Sequence, residues 1–231
     1  MIDQEVLAWA TAIYEAVKTP AWFALQKLGF RLARQFHEDS LWLLRQPHDR
    51  LTYPYCVYWY VNAMFDRERS DGRRADWFLW IEDDIVPQDD LYEKLRAAAD
   101  PEDRPYVSAL AYTRTPPYGP GIASVSKLGN VNTRTQWEDV PQSGTHPTDS
   151  VGMCAALFHR SLFDRIPEPW FGVMPPNKRG GIGPDAFWCS RLIENGIQPY
   201  VCCDAEVEHI GPPVLINRNS ARRWRASRDI V

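Results

Sequence analysis

Residues 77–87, WFLWIEDDIVP, constrain the fold more than any other stretch of the chain. Five large apolar residues follow a charged, glycine-containing turn and run directly into Glu82, Asp83 and Asp84. The run has the length of a buried strand and is too short for a buried helix. Strand-like and helix-like segments alternate around it. The pattern predicts strands over 6–12, 40–44, 77–81 and 106–112, with helices over 21–36, about 53–65 and 91–99. Thr19 and Pro20 suit the start of the first helix. Phe23, Leu25, Leu28, Leu32 and Phe36 follow at near-helical spacing. Such alternation implies a three-layer α/β domain with a mostly parallel sheet.

In such sheets ligands bind beyond the carboxyl ends of the strands. Three adjacent acids there repel one another unless something positive joins them. A hard divalent cation with oxygen ligands does this. A solvated loop, or acids drawn to a helix N-terminus, is the alternative.

The rest of the composition narrows the class. At 231 residues and net charge -4, the chain suits one domain able to bury a core without staples. The acidic balance argues against a nucleic-acid coat or a polybasic membrane binder. Cys56, Cys154, Cys189, Cys202 and Cys203 show no CxxC spacing, so reduced, mostly buried thiols are expected. No apolar run of about 18 residues occurs, so no membrane span is expected. The acid-bearing first residues do not resemble a signal peptide, and a cytoplasmic location is expected.

The second half changes character. Residues 113–150 are rich in Pro, Gly, Ser and Thr and read as loops or short strands. A strand is expected over 151–159, a short helix from Ser161, and a long loop over 167–184. Within that loop, 178–183 reads as a mobile closing segment. A helix over 185–195 stops at Asn195-Gly196, and a strand follows over 198–203. The tail from 217 carries Arg218, Arg222, Arg223, Arg225 and Arg228. Its default is a solvated, frayed terminus, with diphosphate, an anionic acceptor or nucleic acid as other partners.

The strand followed by Glu82-Asp83-Asp84-Ile85-Val86-Pro87 resembles the DxD region of GT-A fold glycosyltransferases, especially those similar to family 2. Later segments resemble the same family in the same order. They are Asp149-Ser150-Val151-Gly152, His159-Arg160-Ser161-Leu162-Phe163, Pro169-Trp170-Phe171, Gly183-Pro184-Asp185-Ala186-Phe187-Trp188-Cys189 and Glu208-His209-Ile210-Gly211. Glu82 stands where the family usually has Asp, and Pro184 where it usually has Glu. The resemblance covers roughly residues 5–212. It implies a Rossmann-like α/β/α sandwich with a smaller acceptor-side subsheet. About 1–112 would be the nucleotide-sugar half and about 113–216 the acceptor half. The compact size is similar to that of small bacterial or bacteriophage enzymes.

The resemblance also implies roles. Asp84, with Glu82 and His209, would hold a divalent metal, Mn2+ in preference to Mg2+ because imidazole suits Mn. Asp185 would be the base that deprotonates an acceptor hydroxyl in an inverting transfer, its charge favoured by the helix N-terminus. Thr11, Ala12, Tyr14, Arg50, Glu82 and Asp83 are candidates for holding a nucleotide-diphosphate sugar. Trp170, Phe171 and Trp188 are candidates for stacking on an acceptor, with a glycan, a protein or a modified nucleic acid as the open choices. A nucleotidyltransferase using the same acids is the alternative enzyme, although 12–20 lacks the glycine-rich loop that class normally has. A non-catalytic nucleotide- or sugar-binding module is the third reading.

Overall fold

The computed structural model describes residues 7–13, 19–36, 41–45, 61, 74–114, 116–125, 132–134, 137–172, 174–177, 180–211 and 215–226. Tyr14, Arg50 and Cys56 lie outside these residues, as does the expected helix over about 53–65 apart from Val61, which is helical.

The chain begins with β1 (Leu7–Ile13), α1 (Thr19–Phe36) and β2 (Leu41–Arg45). Next come β3 (Trp77–Glu82), β4 (Ile85–Val86), α2 (Leu91–Ala98) and β5 (Tyr106–Leu110). Short strands follow: β6 (Ile122–Val125), β7 (Asn132–Arg134), β8 (Thr145–Pro147) and β9 (Ser150–Val151). Then come β10 (Ala155–His159), α3 (Ser161–Arg165), β11 (Met174–Asn177), β12 (Gly180–Ile182) and α4 (Pro184–Glu194). β13 (Tyr200–Glu206), β14 (Glu208–Ile210), β15 (Leu215–Ile216) and α5 (Arg218–Ala226) complete the order.

Seven strands form the central sheet in the order β2-β1-β3-β10-β5-β13-β8. β2, β1, β3, β5 and β13 run one way, while β10 and β8 run against their neighbours. The sheet is therefore mixed but mostly parallel, the α/β class expected from sequence. β10 comes from late in the chain and sits between β3 and β5, so both halves of the sequence share one sheet.

β3 shows why its residues are all apolar. Successive side chains of a strand face opposite sides. Trp77, Leu79 and Ile81 join α1 and α2 on one side. Phe78 and Trp80 join Tyr106, Phe158 and Trp188 on the other. Helices cover both faces, so neither set meets water.

α1 buries Ala21, Leu25, Leu28 and Leu32, a stripe of helical period. Phe23, expected on that stripe, is 69% exposed instead. It stands two positions before Leu25, which puts the pair on nearly opposite sides of the helix.

Two other segments differ from expectation. The loop over 167–184 contains the antiparallel hairpin β11–β12, so Gly180, Gly181 and Ile182 are strand residues. The basic tail is not frayed over 218–226. It forms α5, buries Ala221, and sets Trp224 edge-on against Tyr118 at 5.2 Å. Arg218 pairs with Glu206 and Arg225 with Glu138, so two of its cations serve the fold.

Among the described residues, no helix is long and apolar enough to cross a membrane.

Candidate active site

β3 ends at Glu82, and a turn of Asp83 and Asp84 leads into β4. β4 pairs antiparallel with β14, setting His209 opposite Ile85. The Ile210 N–H donates to the Asp84 carbonyl at 2.9 Å. This ladder carries His209 from the end of the chain to the side of Asp84. Glu82, Asp84 and His209 each offer a ligand atom, all within 4.8 Å of one another.

The tautomer of His209 follows from its partner. Nδ1 lies 2.9 Å from the Tyr112 carbonyl. A carbonyl can only accept, so Nδ1 is the donor. In the neutral ring Nε2 then bears the lone pair. Nε2 is buried without a hydrogen-bond partner and lies 3.4 Å from Asp84 Oδ2. A ring fixed through one nitrogen by a backbone carbonyl, with the other facing carboxylates, is the usual arrangement of a metal-binding histidine. Two carboxylates and one imidazole fit a divalent cation that accepts mixed oxygen and nitrogen ligands.

Arg114 completes the cluster. Its Nη1 donates to Asp84 Oδ2 at 2.7 Å. Gly211 makes the approach feasible. A Cβ built there would stand 2.8 Å from the Arg114 carbonyl oxygen, a distance no side chain tolerates. Glycine at 211 lets the end of β14 lie against the Arg114 backbone.

Asp185 occupies the first turn of α4, after Pro184 at the helix start. The helix dipole was expected to favour its charge, but burial is the larger influence and raises its pKa. The backbone N–H groups of Asp185 and Met153 and the charge of His209 oppose that rise. A Cβ on Gly152 would stand 3.8 Å from Asp185 Oδ2 and 3.9 Å from Cys154 Sγ, so Gly152 lies beside both. Ser108, itself buried, holds the Gly152 carbonyl through its hydroxyl at 2.5 Å.

Cys154 ties the acids together. Its carbonyl accepts the Glu82 N–H at 2.8 Å. Burial pushes its thiol pKa up, and the charges of Glu82, Asp185 and Asp84 push the same way. All three carboxylates therefore act on one buried sulfur, and Asp185 belongs to the same neighbourhood as Glu82 and Asp84.

The other expected site residues are distributed unevenly. Ala12 pairs in register with Glu82, and Thr11 with Ile81, so both sit at the carboxyl end beside the acids. Asp83 is a half-buried turn residue between Glu82 and Asp84. Trp188 and Phe171 are core residues, 0% and 6% exposed, with ring centres 5.0 Å apart. Trp188 also stacks on Phe163 at 5.7 Å, so protein rings occupy the faces that were expected to meet a sugar. Trp170 is half-buried, donates its indole N–H to the Ile166 carbonyl, and packs edge-on against Phe163.

Sequence reasoning passed over Arg114, and it quoted Gly152 within a family-like segment without giving it a role. Arg114 lies in the Pro-rich stretch after β5, where its neighbours say nothing about a partner at Asp84. Its one signal is being the lone cation between an apolar strand and Pro116-Pro117.

No protein-family model and no curated protein sequence matches the chain. Its structure is similar to that of A197 from STIV, with a TM-score of 0.56, 12% identity, and 93% of this chain and 91% of that chain covered. It is more loosely similar to a Drosophila β-1,4-galactosyltransferase 7 mutant in complex with manganese, UDP-Gal and xylobiose. That match has a TM-score of 0.46 and 15% identity and covers 89% of this chain and 71% of that chain. A glycosyltransferase involved in glycosylation of the major capsid of PBCV-1 gives a TM-score of 0.41 and 10% identity, with 96% and 99% covered. The likeness to A197 is one of fold. With a mixed, mostly parallel sheet and helices on both faces, the chain shares an α/β fold with A197.

Proposed function

We propose that this protein is a metal-dependent glycosyltransferase that moves a sugar from a nucleotide-diphosphate sugar to an acceptor hydroxyl. One observation carries the reading. Glu82, Asp84 and the bare Nε2 of His209 converge within 4.8 Å at the carboxyl end of a central strand. The known glycosyltransferases of similar but looser shape include one in complex with manganese and UDP-Gal.

Glu82, Asp84 and His209 would hold the cation, and the imidazole in the set favours Mn2+ over Mg2+. Such a cation, when bound, offsets the negative charge that develops on a leaving diphosphate. Thr11 and Ala12 sit at the same strand end and are candidates for the nucleoside side, with Asp83, Tyr14 and Arg50 as further candidates. Asp185 is the base of an inverting displacement. The acceptor oxygen forms its bond to the anomeric carbon as the bond from that carbon to the phosphate oxygen breaks. The electron pair leaves with the nucleoside diphosphate, and the acceptor proton passes to the Asp185 carboxylate. Burial raises the pKa of that carboxylate and so makes it a stronger base once ionised. The acceptor platform is not Trp188 or Phe171, which are buried.

The test is thermal stability with a panel of UDP-, GDP- and TDP-sugars, with and without Mn2+. One nucleotide diphosphate is expected to raise the melting temperature in the presence of metal and not in its absence. A panel with no nucleotide response at all sinks the reading.

A further inference from the structure

We infer that Arg114 is an internal cation for Asp84, displaced when a divalent metal arrives and passed to the donor's diphosphate. The inference rests on the metal site proposed above and goes beyond it.

Asp84 is 6% exposed, and a carboxylate so enclosed needs a compensating positive charge. Arg114 provides one through Nη1, 2.7 Å from Oδ2. The same Oδ2 faces His209 Nε2 at 3.4 Å. A cation held by Asp84 and His209 therefore meets the guanidinium at the same carboxylate, and two positive charges there repel. The side chains of the pair differ sharply in exposure. Asp84 is fixed at 9%, while Arg114 is 56% exposed. Arg114 is the partner that can leave, while its backbone carbonyl stays packed close to Gly211. A guanidinium released beside the metal site suits the oxygens of a diphosphate.

Metal and diphosphate should then help each other bind. The diphosphate draws Arg114 off Asp84, and Asp84 becomes available to the metal. By linkage the metal improves diphosphate affinity by the same factor. Without metal, Arg114 keeps the acidic cluster from carrying unbalanced charge.

The experiment is a Mn2+ titration of the intact protein, followed by calorimetry, with and without a saturating nucleoside diphosphate. It compares wild type, Arg114→Gln and Arg114→Lys, each first checked for cooperative melting well above the temperature of the titration. Arg114→Gln is expected to bind Mn2+ alone at least about fivefold tighter than wild type, the low end of ordinary site coupling. Its gain in Mn2+ affinity from the diphosphate should be smaller. Arg114→Lys keeps the charge and should stay near wild type. Unchanged or weaker Mn2+ binding by Arg114→Gln overturns the inference, as does equal tightening by Gln and Lys. Absence of Mn2+ binding in the wild type is a different failure, since it removes the metal site itself.

Discussion

Asp84 and Asp185 are the same residue type within one cluster, and their surroundings set them apart. Asp84 lies in the turn after β3 with Arg114 and His209 on its carboxylate. Asp185 lies at the start of α4, where backbone N–H groups and a less direct His209 charge are outweighed by burial. Asp84 is surrounded by groups that want it negative. Asp185 is placed where a proton is welcome. The first environment suits a cation ligand and the second a base that accepts a proton in a reaction. In the proposed reaction, environment and not residue identity would divide the labour.

Removing each carboxylate should give opposite signatures, and the largest effect is expected at Asp84. Asp84→Ala should abolish the metal-dependent thermal shift while the protein still melts cooperatively. An undiminished shift would take Asp84 out of the metal site. Asp185→Asn should keep the metal-dependent donor shift but lose transfer by about 10²–10⁴-fold, the usual range for a general base. Full turnover in that variant would end its role as base. His209→Ala should weaken Mn2+ binding by about 10–100-fold or more, since losing a ligand costs at least what losing its orienting partner costs. A titration curve matching wild type would show that the imidazole holds no metal.

The smallest effect concerns pH and stability. The folded pKa of Asp185 is raised above its ordinary 3.8, so the folded state binds the proton more tightly than the unfolded chain does. Stability from this group is therefore full below about 3.8 and falls as pH climbs towards the raised folded value. Above that window the charged carboxylate is a net cost. Asp185→Asn should melt slightly higher than wild type near neutral pH, and the gap should close in acid. A gap that does not narrow on acidification would mean that the cost does not come from ionisation.

How much was legible in the sequence depended on the range of the interaction. Glu82, Asp83 and Asp84 were readable because a strand and its exit turn are local. The sheet class was readable because apolar runs and helical stripes are local too. His209 was found by its closing segment, but its position comes from pairing between β4 and β14, which no nearby residue encodes. Arg114 was missed for the same reason. Trp188 was misjudged because an aromatic near a glycine-rich loop reads alike whether it faces a cleft or Tyr106 and Phe171. The arginine-rich tail looked solvated because its charges were visible, while the buried Ala221 and the docking of Trp224 on Tyr118 were not.

The pairing of β14 with β4 has a consequence for how the protein is made. Asp84 leaves the ribosome well before His209, with the elements from α2 to β13 synthesised between them. A nascent chain can build the central strand and its acids, yet it cannot close the three-residue cluster until the last short strands dock. If the proposed cation binds there, tight binding would report that β14 has docked. A chain truncated before β14 should bind Mn2+ poorly even where its sheet has formed, so the ion would act as a late lock on the finished molecule and not as a nucleus for its folding.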